Sequence, residues 1–210
     1  MPYPTPREFR QILQDAHSVD DVVRQYVFGG APYAFRGKPS SMQRLTDHLC
    51  GNMNIAADDV AVVGSAKIGF SLSPDNFPRR FSRYSDIDVV IINGAMFDEF
   101  WHSMLRWNYP RRYSLSGVDW DWSKRRRNEL YWGWFRPDAI RFEGLSYPDV
   151  LKPIRNFSTT WFNAFQSLSL IPDFSSRKVG GRLYRTWEHA LRYHADGLEQ
   201  IKRISEEGAI

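Results

Sequence analysis

The chain has 210 residues, 42% of them hydrophobic and 15% aromatic, which is enough to bury the core of a globular domain and argues against disorder. Lysine and arginine total 28 against 24 aspartate and glutamate, so the net charge of +4 permits an anionic partner without requiring one. No apolar run is long enough to span a membrane, and the proline-rich start does not match a signal peptide. The single cysteine, Cys50, excludes an internal disulfide and predicts a cytoplasmic location.

Helix signals dominate residues 1–55. Thr5 and Glu8 form a capping box around Pro6, a proline at the first helical position. Ser18 and the Ser40–Gln43 stretch provide two further caps. We expect a structural layer of three helices, running from 6 to about 16, from about 19 to Gly29-Gly30, and from the Ser40–Gln43 cap to Cys50.

Two apolar strands follow, at about 59–63 and 86–92, and polar residues accompany both. Side chains alternate along a strand, so Asp86 and Asp88 lie on one face of the second strand. Two adjacent carboxylates repel each other and are stabilised together by a divalent cation. Oxygen-only ligands favour Mg²⁺, or Mn²⁺, over zinc.

Gly64-Ser65 ends the first strand. Glycine lets the backbone approach a ligand closely, and successive amides with a hydroxyl favour an anion. A phosphate-binding turn followed by a metal-binding acid pair is typical of a phosphoryl-transfer site.

These residues resemble the signature of the polymerase-beta-type nucleotidyltransferase superfamily, in which an apolar residue and Gly-Ser precede two acids separated by one apolar residue. Here the signature reads Val63-Gly64-Ser65 and Asp86-Ile87-Asp88-Val89. The resemblance implies an α/β (α+β) fold, with a mixed sheet flanked by helices. It also implies transfer of a nucleoside monophosphate from an NTP to an acceptor hydroxyl, with Asp86 and Asp88 as catalytic metal ligands.

The resemblance also assigns nucleotide contacts. Gly64 and Ser65 would bind the β- and γ-phosphates, and Lys67 would neutralise charge in the transition state. The spacer between the two halves of the signature is longer than is usual in the family. Its basic residues, Arg79, Arg80 and Arg83 together with Lys67, would form a flap over the triphosphate.

The family usually places a third carboxylate on a later strand beside the pair. The candidates are Asp119, Asp121, Asp138 and Glu143, and we select Asp138 as the third catalytic and metal-binding acid because a short extended run follows it. Without a third acid, the alternative is a non-catalytic module on the same fold that binds nucleic acid, nucleotide or a protein partner. A third hypothesis is a regulator that binds NTP with Mg²⁺ without turnover.

A helix is predicted at 95–107, and after it basic and aromatic residues interleave from Trp107 to Phe142. This pattern fits single-strand nucleic-acid binding, with the Lys124–Arg127 run contacting phosphates. The same pattern is explained slightly better by an aromatic edge of the core with a solvated basic turn.

The segment 146–210 is predicted to be helical, with one helix from about 146 to 167, interrupted at Pro153, and a long helix at about 182–207. Arg182, Arg185, His189 and Arg192 form a second stripe on the long helix, better explained as solvated than as phosphate-binding. We expect the segments 1–55, 56–145 (the nucleotidyltransferase-like core) and 146–210 to form one compact unit.

The acceptor is open among RNA, which is slightly favoured, a protein side chain, a small molecule and a second nucleotide. A compact, free-standing bacterial member of the resembled family would suit a toxin–antitoxin or phage-defence role. Neither a Gly-x-Ser-x-Gly elbow nor a phosphate-binding loop ending in Gly-Lys-Ser/Thr occurs, which argues against a serine hydrolase and a P-loop NTPase.

Overall fold

A four-stranded mixed sheet forms the centre of the protein. The computed structural model describes residues 3–207, except for the side chain of Pro148. The strands are β1 (Val60–Val63), β2 (Ile87–Ile92), β3 (Trp134–Phe135) and β4 (Val179–Tyr184), in the order β1-β2-β4-β3. β2 and β4 are parallel, whereas β1 and β3 each pair antiparallel with their neighbour. The α+β class, the mixed sheet and the long C-terminal helix are therefore confirmed.

Helices surround this sheet. They are α1 (Pro6–Asp15), α2 (Val19–Val22, continued by a π-helix, Val23–Phe28), α3 (Pro39–Met53), α4 (Ser65–Ile68), α5 (Gly94–Asn108), α6 (Gly117–Tyr131), α7 (Lys152–Ser167) and α8 (Trp187–Glu206). No helix within residues 3–207 is both long and apolar enough to cross a membrane.

Each face of the sheet buries its own hydrophobic core, because side chains alternate along the strands. One face, with residues such as Val62, Val89 and Leu183, packs against α3, α5 and α7. The other, with residues such as Val63 and Val90, packs against α1, the π-helix after α2, and α8. Asp88 shares the alternation of Val90, so it lies on the second face, where the apolar surface ends, and Asp86 directly precedes β2.

The first helix forms as the capping signals predict. The amide of Glu8 donates to Thr5 Oγ1 at 3.2 Å, and the amide of Thr5 donates to Glu8 Oε2 at 2.7 Å. The third helix differs from the prediction, because it begins at Pro39 and continues through Gly51 to Met53. Asn54 ends it instead, in the left-handed conformation with φ of 52°, and its amide donates to the carbonyl of Cys50.

The predicted long helix at 182–207 is wrong at its start, since residues 179–184 form β4 and α8 begins only after the cap Thr186. Gly181 marks a close approach of α7 to the strand. A Cβ at this position would lie 2.9 Å from the Trp161 ring and 2.5 Å from the Phe165 ring. The segment 146–210, expected to be helical, thus also supplies a strand of the sheet.

Candidate active site

A cleft of about 770 Å³ opens at the end of β1, where β2 and β4 begin. Gly64 and Ser65, which follow β1, line it together with Asp86 and Asp88. The loop between the two halves of the signature, residue Arg136 after β3, and residues of α8 form the remaining walls. The fold therefore brings both halves of the sequence motif into one cavity.

Gly64 and Asp88 lie close together at the wall of this cleft. β1 pairs antiparallel with β2 so that Val63 lies opposite Asp88. Gly64 has φ of 64° and ψ of −146°, a conformation that side-chain-bearing residues rarely adopt. A Cβ on Gly64 would lie 3.3 Å from Oδ2 of Asp88. The glycine of the motif is thus required by its backbone angles and by its proximity to the carboxylate.

The surroundings of Asp88 raise the pKa of its carboxyl group. Desolvation by the cleft walls and then the charge of Asp86 raise the pKa of Asp88, while Arg182, Arg136 and Lys178 lower it. Asp88 as a whole is still exposed, so the desolvation is partial and a ligand can reach the carboxylate. Such a pair of adjacent carboxylates is suited to a cation.

Basic side chains outnumber acidic ones in the cleft. Among the described residues, five basic side chains line it, and the acids beside them are Asp86, Asp88 and Asp196. The basic set consists of Arg79, Arg80, Arg136, Lys178 and Arg182. This excess of positive charge favours an anionic ligand, and the acid pair adds a position suited to a cation.

The long spacer folds back on itself and delivers two of these arginines. The amide of Ser71 donates to the carbonyl of Arg79 at 2.8 Å, and the amide of Phe81 donates to Gly69 at 2.9 Å. Arg79 and Arg80 then line the cleft, as a basic flap would. Arg83, however, stacks on the exposed ring of Tyr84 at 4.6 Å and does not line the cleft.

Lys67 lies outside the cleft, in contrast to its expected role beside the triphosphate. Its side chain is buried on α4, where Nζ donates to the carbonyls of Phe28, at 3.3 Å, and Gly30. Burial lowers the pKa of Lys67 to about 8. In this structure the side chain of Lys67 ties α4 to the segment at the end of the π-helix, and Lys67 does not line the cleft.

Asp138 is likewise not beside the acid pair. It lies in a turn after β3, where its Oδ2 forms an ion pair with the Arg136 guanidinium at 2.7 Å. Asp138 does not line the cleft. The proline before it, Pro137, begins the turn and carries the chain away from the sheet. Asp138 therefore pairs with Arg136 and does not complete a carboxylate triad in this structure.

β4 pairs with β2 on the side opposite β1, and the register of this pairing decides which β4 residues lie beside Asp88. Gly180 lies opposite Asp88, and Arg182 is the next residue on the same face. The Arg182 guanidinium is held between the rings of Trp134, at 4.3 Å, and Tyr193, at 4.2 Å. Within residues 3–207 no group of three or more acidic, histidine or cysteine side chains is placed to hold a metal.

The remaining pair still fits Mg²⁺, which proteins often bind through one or two carboxylates, with substrate phosphates and water completing the shell. No family model, curated protein or solved structure matches the chain. The resemblance to nucleotidyltransferases thus rests on the motif at residues 63–89 and on the cleft geometry around it.

The sequence did not predict that several further residues line the cleft. Lys178 directly precedes β4 and Arg182 belongs to it, whereas the sequence predicted that a helix starts after the glycine pair. His194 and Tyr193 extend from α8, and Nε2 of His194 is buried without a hydrogen-bond partner. Burial and then Arg182 lower the pKa of His194 to about 3, so the ring is neutral at physiological pH.

Proposed function

We propose that this protein is a metal-dependent nucleotidyltransferase that moves a nucleoside monophosphate from an NTP to an acceptor hydroxyl. The observation that carries the proposal is the proximity of Gly64 to the carboxylate of Asp88, beside Asp86, in a basic cleft. Neither the glycine conformation nor the paired acids serve the packing of the core. Together they supply a close backbone approach for a phosphate and a position for its cation.

Each part of the cleft then has a role. Asp86 and Asp88 would hold Mg²⁺ or Mn²⁺, which supplies charge neutralisation and polarisation at the phosphates. Gly64 and Ser65 would contact the outer phosphates, while Arg79 and Arg80 would neutralise the triphosphate from the spacer side. The acceptor oxygen forms a bond to the α-phosphorus as the bond to pyrophosphate breaks. Pyrophosphate leaves with the electron pair, and the acceptor proton passes to solvent.

One observation favours a second function, which is binding of Mg-NTP without transfer. On the face of β4 that adjoins Asp88, the positions beside the pair are Gly180 and Arg182. A third carboxylate would be needed there to complete the acid set of the resembled family. Arg182 instead balances the charge of Asp88, which suits a protein that recognises the nucleotide.

Binding and transfer are separated by two measurements. Calorimetry with Mg-NTP should show binding by the wild-type protein and its loss in Asp86→Asn and Asp88→Asn. Ser65→Ala should weaken NTP binding more than NMP binding, because its role is at the outer phosphates. Undiminished affinity in both acid variants would refute the metal site.

Transfer is tested with each α-labelled NTP, Mg²⁺ or Mn²⁺, and an extract of total RNA and protein. Label in an RNA or protein product that is absent with Asp88→Asn supports the transferase. Binding without any labelled product favours the second function. Gly180→Asp then adds a carboxylate opposite Asp88, where a Cβ meets no atom within 4 Å. With Gly180→Asn as its control, this variant should bind Mg²⁺ more tightly.

A further inference from the structure

The segment 106–132 carries the whole net charge of the protein. It contains seven lysines and arginines and three acids, an excess of +4 that equals the excess of the full chain. Outside this segment positive and negative residues balance. A positive field therefore surrounds the end of α5, α6 and the loop between them.

α6 arranges part of this charge with aromatic rings in one exposed row. Trp120, Lys124, Arg127 and Tyr131 follow at intervals of four, three and four residues, so they share one face of the helix. All four are exposed, Trp120 at 43% and Tyr131 at 78%. The Arg127 guanidinium lies 5.4 Å from the centroid of the Trp120 ring. We call these four residues the α6 stripe.

The α6 stripe is separate from the residues that hold the helix in place. Ser123 and Arg126 are buried on another face of α6, and Trp122 and Leu130 pack against the hydrophobic core. The rings of the stripe are therefore not required for packing α6. An exposed row of large rings beside cations is typical of a binding surface.

The loop before α6 continues the same chemistry. The guanidinium of Arg112 lies 4.5 Å from the ring of Tyr109 and 4.6 Å from the ring of Tyr113. Tyr113 is 90% exposed and Tyr109 is 65% exposed. Arginine and aromatic planes thus recur along both the loop and the helix.

We propose that the α6 stripe binds single-stranded RNA. Unpaired bases stack on aromatic rings and guanidinium planes, and Lys124 and Arg127 neutralise the phosphates between them. The rings can stack on bases that are not already stacked in a duplex, and such unpaired bases are common in RNA loops and ends. A second copy of the chain is a poor occupant, since it would present the same positive surface.

The basic run of the sequence does not act as four equivalent residues. The Arg126 side chain is only 3% exposed and forms a 2.9 Å ion pair with Glu129. Replacing it would perturb folding, because its partner carboxylate would be left buried and unpaired. The test therefore uses Lys124 and Arg127 and leaves Arg126 in place.

The test measures anisotropy of a labelled oligouridylate, of about 12 nucleotides, between about 50 and 200 mM salt. Neither NTP nor divalent metal is added, so the result does not depend on the proposed transferase activity. Removing two phosphate contacts with Lys124→Ala/Arg127→Ala should flatten the log–log salt slope by about 1.4. The control Arg7→Ala/Arg203→Ala removes the same charge from exposed positions on α1 and α8 and should leave the slope unchanged.

The aromatic part of the proposal has its own variants. Tyr131→Ala should weaken binding on the order of tenfold, and Tyr131→Phe should retain it, because the ring stacks and the hydroxyl is not required. Equal flattening of the salt slope in the two double variants would overturn the proposal, and so would wild-type RNA affinity in Tyr131→Ala. So would the absence of salt-dependent binding, or tighter binding of duplex RNA or of single-stranded DNA.

Discussion

Replacing Gly64 with alanine tests whether the proposed site depends on the proximity of Gly64 to Asp88. With φ of 64° and ψ of −146°, the position lies in backbone space that is almost confined to glycine, so strain should lower the free energy of unfolding by about 1–3 kcal/mol. The new Cβ would also lie 3.3 Å from Oδ2 of Asp88. The carboxylate must shift by a few tenths of an ångström, away from the position in which it would bind a cation.

Gly37 provides the matched control. Its φ is 74°, and a Cβ there would meet nothing within 4 Å. Gly37→Ala should therefore lose about 1–2 kcal/mol of stability from backbone strain alone. Gly64→Ala should lose stability and, in addition, about tenfold or more in affinity for Mg-NTP, which corresponds to about 1.4 kcal/mol.

The two variants are compared by urea denaturation and by calorimetric titration with Mg-NTP at a temperature where both remain folded. Loss of nucleotide affinity in Gly64→Ala, with wild-type affinity in Gly37→Ala, is the expected result. If Gly64→Ala binds Mg-NTP as wild type does, the proximity of Gly64 to Asp88 is unrelated to nucleotide binding. Equal losses of affinity in both variants would show an effect of general destabilisation.

Three further predictions concern charge and packing. Because the fold raises the pKa of Asp88, the folded state binds the carboxyl proton more tightly than the unfolded state does. The contribution of Asp88 to the free energy of unfolding should therefore fall as pH rises above the ordinary carboxyl value of 3.8. Asp88→Asn should remove this loss in unfolding experiments between about pH 4 and pH 7. The pKa of Lys67, lowered to about 8 by burial, should make wild-type stability rise as pH increases from about 8 towards 10.5, and Lys67→Met should abolish that rise in the same assay. Gly181→Ala places a Cβ against the rings of Trp161 and Phe165, so chemical denaturation should show a loss of about 1–3 kcal/mol, and wild-type stability would contradict the close approach of α7 to β4.

Several features of the protein could be predicted from the sequence because short-range interactions determine them. The capping box of Thr5 and Glu8 acts within one turn of α1. β1 and β2 are short apolar runs ended by polar or glycine residues. The same alternation that makes β2 a strand places Asp86 and Asp88 on one face, so the pair was predicted without knowing what surrounds it.

The tertiary structure decided which residues surround that pair. Strand pairing joins distant segments, so nothing near Gly180-Gly181 in the sequence indicates that this stretch lies beside β2. Once it does, Arg182 faces the cleft beside Asp88 and no longer belongs to a helix stripe. Lys67 is close to the motif in sequence, yet its side chain points into the interior and donates to the carbonyls of Phe28 and Gly30. Local patterns thus determined the acid pair, and long-range packing determined its basic neighbours, because their positions depend on strand register and helix contacts.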